Sequence, residues 1–446
     1  MPIFEIPSVR ALFCAGLVAG AALGPLLACT GDTTAEGDDE LRRKKDAGSD
    51  ANAADAKAND GSTADAGAVD LQLADVAILF PLPKNATESR TGLLGGTAAG
   101  PRGPLLPESV YNAVGKIAGD GPAPVGGTGT APYANLRVVA LRVDPCFAAL
   151  APSPHGDGCK NQLRLVFQEV LADGSGAFDS ALHVFYSITR EELTTLTRAI
   201  VTERQRSAGG QRLGALGPHP IMVRQGLAGS MATAVRDLAI KYAGSQNLTR
   251  VTTMSSGNTG FSWAFAGFDV QNATSGTVTP MHIPTLPSGN DTAQTFFRGF
   301  GRDPQGNASP ATTSADNLMA FGDVDEATAL TPAQRAAAYD ALLRVEHPAK
   351  HSPDTIDCVS CHLATPGAKL VAEPKFGLSR AGNPNAFAPD GTFVRASEMT
   401  PSFDDAGSLN VHAFSYNGVR PGINQRTVNE AAAVVHYLAT NVFAGR

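Results

Sequence analysis

The sequence predicts an α+β body over residues 73–325 followed by a mainly α segment over 326–446, with an export segment and a tether ahead of both. Three observations carry this. The composition changes abruptly near the N-terminus, short β-rich runs alternate with two helical stretches up to about position 325, and two helical patterns then flank a long irregular segment. That last segment contains Cys358-Val359-Ser360-Cys361-His362, the most informative feature of the chain.

Residues 1–10 carry one basic residue, Arg10, and residues 11–27 form an apolar run that leads into Leu26-Leu27-Ala28-Cys29. The arrangement resembles a bacterial lipoprotein signal, which implies removal of residues 1–28 and lipidation of Cys29. Ordinary signal cleavage would instead leave the protein soluble in the periplasm. Pro25 interrupts the apolar run, which is marginal as a permanent membrane span. Residues 29–72 are dominated by Ala, Asp, Gly, Thr and Ser, have no periodicity and cannot bury a core. They read as a disordered tether with a reach of roughly 35 Å. The expected location is therefore the cell envelope, with the body held at a membrane by a lipid anchor and facing the periplasm or the surface.

Charge follows the same division. The formal net charge is −7, and residues 30–72 hold −6 of it, so the body is nearly neutral. A neutral body argues against nucleic-acid binding. The basic quartet Arg42-Arg43-Lys44-Lys45 could touch anionic headgroups or simply be solvated tether. Of the six cysteines, Cys146 and Cys159 are left as a pair once Cys14, Cys29 and the motif are set aside. In an oxidising compartment they are an expected disulfide across a loop rich in Pro and Gly.

Within 73–325, the runs 76–80, 136–143, 163–170, 182–188, 250–254, 261–270 and 278–283 are strand candidates, bounded by Pro, Gly or Asp. Thr189 and Glu192 form a capping box ahead of Leu193, Leu196, Ile200 and Val201 at helical spacing. Residues 228–242 are a second helix candidate. No repeat is evident. In the last segment Thr331-Pro332-Ala333-Gln334 offers a cap, a Pro at the first helical position and a capping-box Gln, and Pro348 ends that helix. Asn424 or Thr427 caps a terminal helix with Val428, Ala431, Val435 and Leu438 along one stripe.

Between these helices, Cys-x-x-Cys-His is the pattern by which a chain binds haem covalently: two thiols add to the porphyrin vinyl groups and the imidazole reaches the iron. Random placement would produce it on the order of once in several hundred chains of this composition. A thioredoxin-like dithiol would follow a buried strand at a helix start, whereas residues 351–357 read as polar loop. A zinc site would need further ligands, and the other cysteines are distant in sequence. Helix, motif, irregular loops and terminal helix together resemble class I c-type cytochromes, over roughly the last quarter of the chain. The resemblance implies haem c bound by Cys358 and Cys361, with His362 as proximal ligand. It also implies that the Pro374 carbonyl accepts a hydrogen bond from His362, and it offers Arg380 as a partner for a haem propionate; a turn and a surface Arg explain the same residues. For the sixth iron ligand Met399 and His412 are the main candidates, with His347, His351 or an open site as alternatives; His436 reads as a helix residue.

The expectation is a monohaem electron-transfer protein with a redox partner protein. An alternative is an oxidoreductase or peroxidase whose 73–325 body holds a catalytic site; His219 and Met222 with Met281 and His282 would then be candidate copper ligands, although loop and core positions explain them more simply. Another is a haem-based sensor or binding module. No catalytic triad, phosphate loop or dinucleotide fingerprint is present.

Overall fold

The computed structural model describes residues 69–117, 133–145, 161–171, 173–256, 262–281, 294–297, 318–351, 356–402 and 410–444. The expected signal, Cys29, nearly all of the tether and the Cys146–Cys159 pairing lie outside these residues. Among them the chain is a mixture of strands and helices.

The elements in order are strand β1 (Ala77–Leu79), helix α1 (Glu108–Ile117), strands β2 (Leu136–Asp144), β3 (Asn161–Glu169) and β4 (Ser180–Ile188), helices α2 (Arg190–Ala208) and α3 (Ser230–Tyr242), then strands β5 (Leu248–Ser256), β6 (Ser262–Asn272), β7 (Thr277–Pro280) and β8 (Gln294–Phe297). Helices α4 (Pro332–Glu346) and α5 (Cys358–Pro366) follow, then the hairpin β9 (Phe414–Asn417) and β10 (Arg420–Ile423), and helix α6 (Gln425–Tyr437). One antiparallel sheet runs β1-β2-β3-β4-β5-β6-β8, with β7 paired to β6. From β2 to β6 each strand neighbours the next, so short connections and α2–α3 suffice to build it.

Side chains alternate across a strand, so each register row belongs to one face. Leu163, Leu165 and Phe167 of β3 share a face with Leu182, Val184 and Tyr186 of β4, and all belong to one core with Leu193, Leu196 and Ile200 of α2 and Met231 and Val235 of α3. The other face carries Arg142, Arg164, His183, Thr252 and Gln168, and also Met254, Phe265 and Trp263. It is covered as well. Met254, Trp263, Phe265 and Phe296 pack with Tyr339, Leu342 and Leu343 of α4 and Val359 and Leu363 of α5 in a second core.

Position 325 does not divide the packing. Val428, Val435 and Leu438 at the C-terminal end lie in the same core as α2 and α3, the second core draws on both sides of the boundary, and the described residues belong to one compact unit. The capping boxes at Thr189 and Thr331 are reciprocal as expected, and Asn424 caps α6. Helix α1 and the β9–β10 hairpin are elements that the sequence pattern did not suggest.

Candidate functional site around Cys358–His362

The motif opens a helix rather than sitting in loop. Asp357 caps α5: its Oδ2 accepts from the Ser360 backbone N–H at 2.9 Å and its Oδ1 from the Ser360 hydroxyl at 2.6 Å. Gln294 on β8 ties this cap to the sheet, donating from Nε2 to Asp357 Oδ2 at 2.9 Å and accepting from Val359 N–H at 3.1 Å. Asp357 is fully buried, so the cap exchanges no bond with water. After Leu363 the helix meets Pro366, which lacks an N–H, and continues as a π-helical turn over Gly367–Ala372.

A helix brings positions i, i+3 and i+4 onto one side, so Cys358, Cys361 and His362 share a face. His362 Nδ1 lies 2.6 Å from the carbonyl oxygen of Val411. A carbonyl can only accept, so Nδ1 carries the proton and Nε2 is left bare. Burial lowers the His362 pKa to about 4, with the Val411 bond opposing, so the ring is neutral at pH 7. Both thiols are free. Burial pushes Cys361 up to about 11 and Cys358 further. Thiols held in the protonated form are poor starting points for thioredoxin-like exchange, even though the helix start suits that reading.

Across from this face lies the polar row of the sheet: Arg142 is opposite Arg164, Arg164 opposite Phe185, Phe185 opposite Arg250 and Arg250 opposite Asp269. Arg164 stacks over Phe185 at 4.4 Å. One row along stand Val166, His183, Thr252 and Gly267. Beyond them Phe265 meets the His362 ring at 4.9 Å between centroids, and Trp263 stacks on Phe296 at 5.7 Å. Thr252 and Arg250 keep partial exposure although they lie mid-sheet, as do Cys358, Cys361 and His362, so the two layers do not close fully here.

Buried ion pairs seal one end. Arg142 binds Glu430 of α6 at 2.6 Å and Asp144 at 3.3 Å, Arg164 reaches Asp144 at 2.8 Å, and Arg426 holds the other oxygen of Glu430 at 2.7 Å. Burial alone would raise the Glu430 pKa, but Arg426, Arg142 and Arg164 together hold it far below the usual carboxylate range.

The other predicted site residues fall as follows. Pro374 sits in the short helix Glu373–Phe376, and the acceptor for His362 is Val411. Arg380 is committed to carboxylates: Nε donates to Glu373 at 2.6 Å and Nη1 to Glu346, which leaves its fork satisfied without a propionate. Met399 packs against the first core, whereas the cysteines border the second, and its carbonyl accepts from Gln425. His412 is buried beside Val411 with both nitrogens engaged, Nε2 at 2.7 Å from Asp179 and Nδ1 at 2.5 Å from Ser415. His347 accepts from the Ala349 N–H, the His351 carbonyl accepts from Arg426, and His436 faces Asp390 on the surface. His219 and Met222 are buried in or beside the first core, His282 lies outside the described residues, and no group of three metal-binding side chains occurs among the described residues.

Asp357, Gln294 and Val411 are site residues that sequence reasoning missed. Asp before a helical run is a capping signal that marks Asp357. Gln294 and Val411 are brought in by tertiary contact, which no local pattern announces. Comparison with known protein families, curated proteins and solved structures finds no match to this chain.

Proposed function

We propose that this chain is a c-type cytochrome, exported and held at a bacterial membrane by lipid on Cys29, which exchanges electrons with a redox partner protein. The observation that carries the reading is the geometry of α5: two free thiols and an imidazole on one helical face, with His362 Nδ1 anchored on the Val411 carbonyl and Nε2 left bare. Iron-binding histidines are held this way, because the second hydrogen bond fixes tautomer and ring orientation and raises basicity toward the metal. Phe265 against the His362 ring gives the partly exposed face of Cys358, Cys361 and His362 an apolar border, so the residues present fit haem.

Cys358 and Cys361 would hold the group through thioethers and His362 through its Nε2. Once attached, it supplies a one-electron iron couple. The chain's own part is to exclude water with the second core, to orient the imidazole through Val411, and to set near Cys361 an ion-paired cluster in which Arg142, Arg164 and Arg426 outnumber Glu430 and Asp144, an excess that favours the reduced, less positive state of a bound metal. Electron transfer needs no bound substrate and no nucleophile, in keeping with thiols held protonated.

The test is expression with a haem-attachment apparatus, followed by denaturation. A protein that retains one haem by intact mass and gives a c-type pyridine haemochrome supports the reading, and C361A should shift that haemochrome toward a single thioether. A denatured chain of bare polypeptide mass would overturn it.

A further inference from the structure

A haem held by His362 offers its iron a second axial position, and neither Met399 nor His412 is placed to fill it. Met399 packs in the other core, and both nitrogens of His412 are already engaged by Asp179 and Ser415. The face of the sheet opposite α5 supplies a different donor. His183 lies at the centre of that face, in register with Val166 on one side and Thr252 on the other, where the layers remain partly open. Its ring is buried, and neither nitrogen meets a hydrogen-bond partner among the described residues.

We propose that His183 is the second axial ligand, so that the sheet and the motif helix each supply one imidazole to the same iron. This rests on the haem reading above and extends it to a residue of the 73–325 body. Burial and the charges of Arg164, His362, Arg142 and His412 keep His183 well below its ordinary pKa. In the sheet it stands on the same face as Arg164, one register row away. Met254 is the competing soft donor on this face, but its thioether is packed among Trp263, Phe265 and Phe296 and lacks nothing there. The assignment gives the large domain a specific part in the redox centre: without it the iron has one protein ligand.

Ferric protein loaded with haem should give low-spin electron paramagnetic resonance and near-infrared magnetic circular dichroism of the bis-imidazole type. A methionine-type charge-transfer band in the unaltered protein would overturn the assignment without any variant being made. H183A should lose the low-spin signal and let the ferrous form bind carbon monoxide, H183M should acquire the methionine-type band, and M399L should keep the original spectrum. An H183A protein that carries haem and retains the bis-imidazole spectrum also overturns it, leaving the haem reading intact. Haem content measured by haemochrome in each sample separates the two ideas, since an unaltered protein with no covalent haem overturns both.

Discussion

At the scale of single residues, histidines here differ in what surrounds their nitrogens. His362 has one partner, His412 two, and His219 none, although it is buried at the start of the short helix Pro220–Gln225. Burial first, then Arg224 and Arg204, lowers the His219 pKa from 6.5 to about 4. The folded value lies below the unfolded one, so stability is intact above pH 6.5 and falls as pH drops from there toward pH 4, because only the unfolded chain takes up the proton. The loss should be about 3 kcal/mol. Urea unfolding of the wild type and H219L at pH 7 and pH 4 isolates it, since other titrating groups act in both. The variant should lack this part of the acid loss, and parallel acid limbs would refute the account. The environment behind this behaviour cannot be read from Gly217-Pro218-His219-Pro220, which looks like an ordinary turn and helix start.

At the scale of elements, the agreement between sequence and structure was good wherever the signal was local. Thr189 with Glu192 and Thr331 with Gln334 are reciprocal caps because both partners lie within one turn of each other. The strand runs were legible because their apolar residues recur. Helix α5 carries a local signal in Asp357, but the completion of that cap by Gln294 comes from another part of the chain. D357A should destabilise the protein by about 2–4 kcal/mol, combining loss of the cap with a stranded Gln294 amide. D357N, which keeps an acceptor at the same place, should recover most of that in denaturant melts. Equal losses in the two variants would mean that the carboxylate charge, not the hydrogen bonding, holds the helix start.

For the whole molecule, the same face of the sheet had two readings. Polar residues alternating with apolar ones, as in Arg164-Leu165 or His183-Val184, suit a strand with one side in water, yet both sides are covered. The C-terminal helices have no core of their own to retreat to: α6 shares one with α2, and α5 shares the other with β5, β6 and β8. Residues 64–446 should therefore unfold in a single cooperative transition by calorimetry and by circular dichroism. Fragments 64–325 and 326–446 made separately should each expose apolar surface, bind a hydrophobic dye and lack a sharp transition. Two independent transitions in the intact chain would contradict this.

The sequence by itself determined the local chemistry: which runs extend or coil, where helices are capped, and that two thiols and an imidazole stand at the spacing haem attachment requires. These depend on neighbours within a few residues. Only the tertiary structure decided what those groups face. Val411 rather than Pro374 meets His362, carboxylates rather than a propionate hold Arg380, and His183 stands on the covered face of the sheet between Val166 and Thr252. The reason is physical: burial, charge compensation and hydrogen-bond completion are settled by atoms far apart along the chain, and a strand's polar face has the same pattern whether water or another layer covers it.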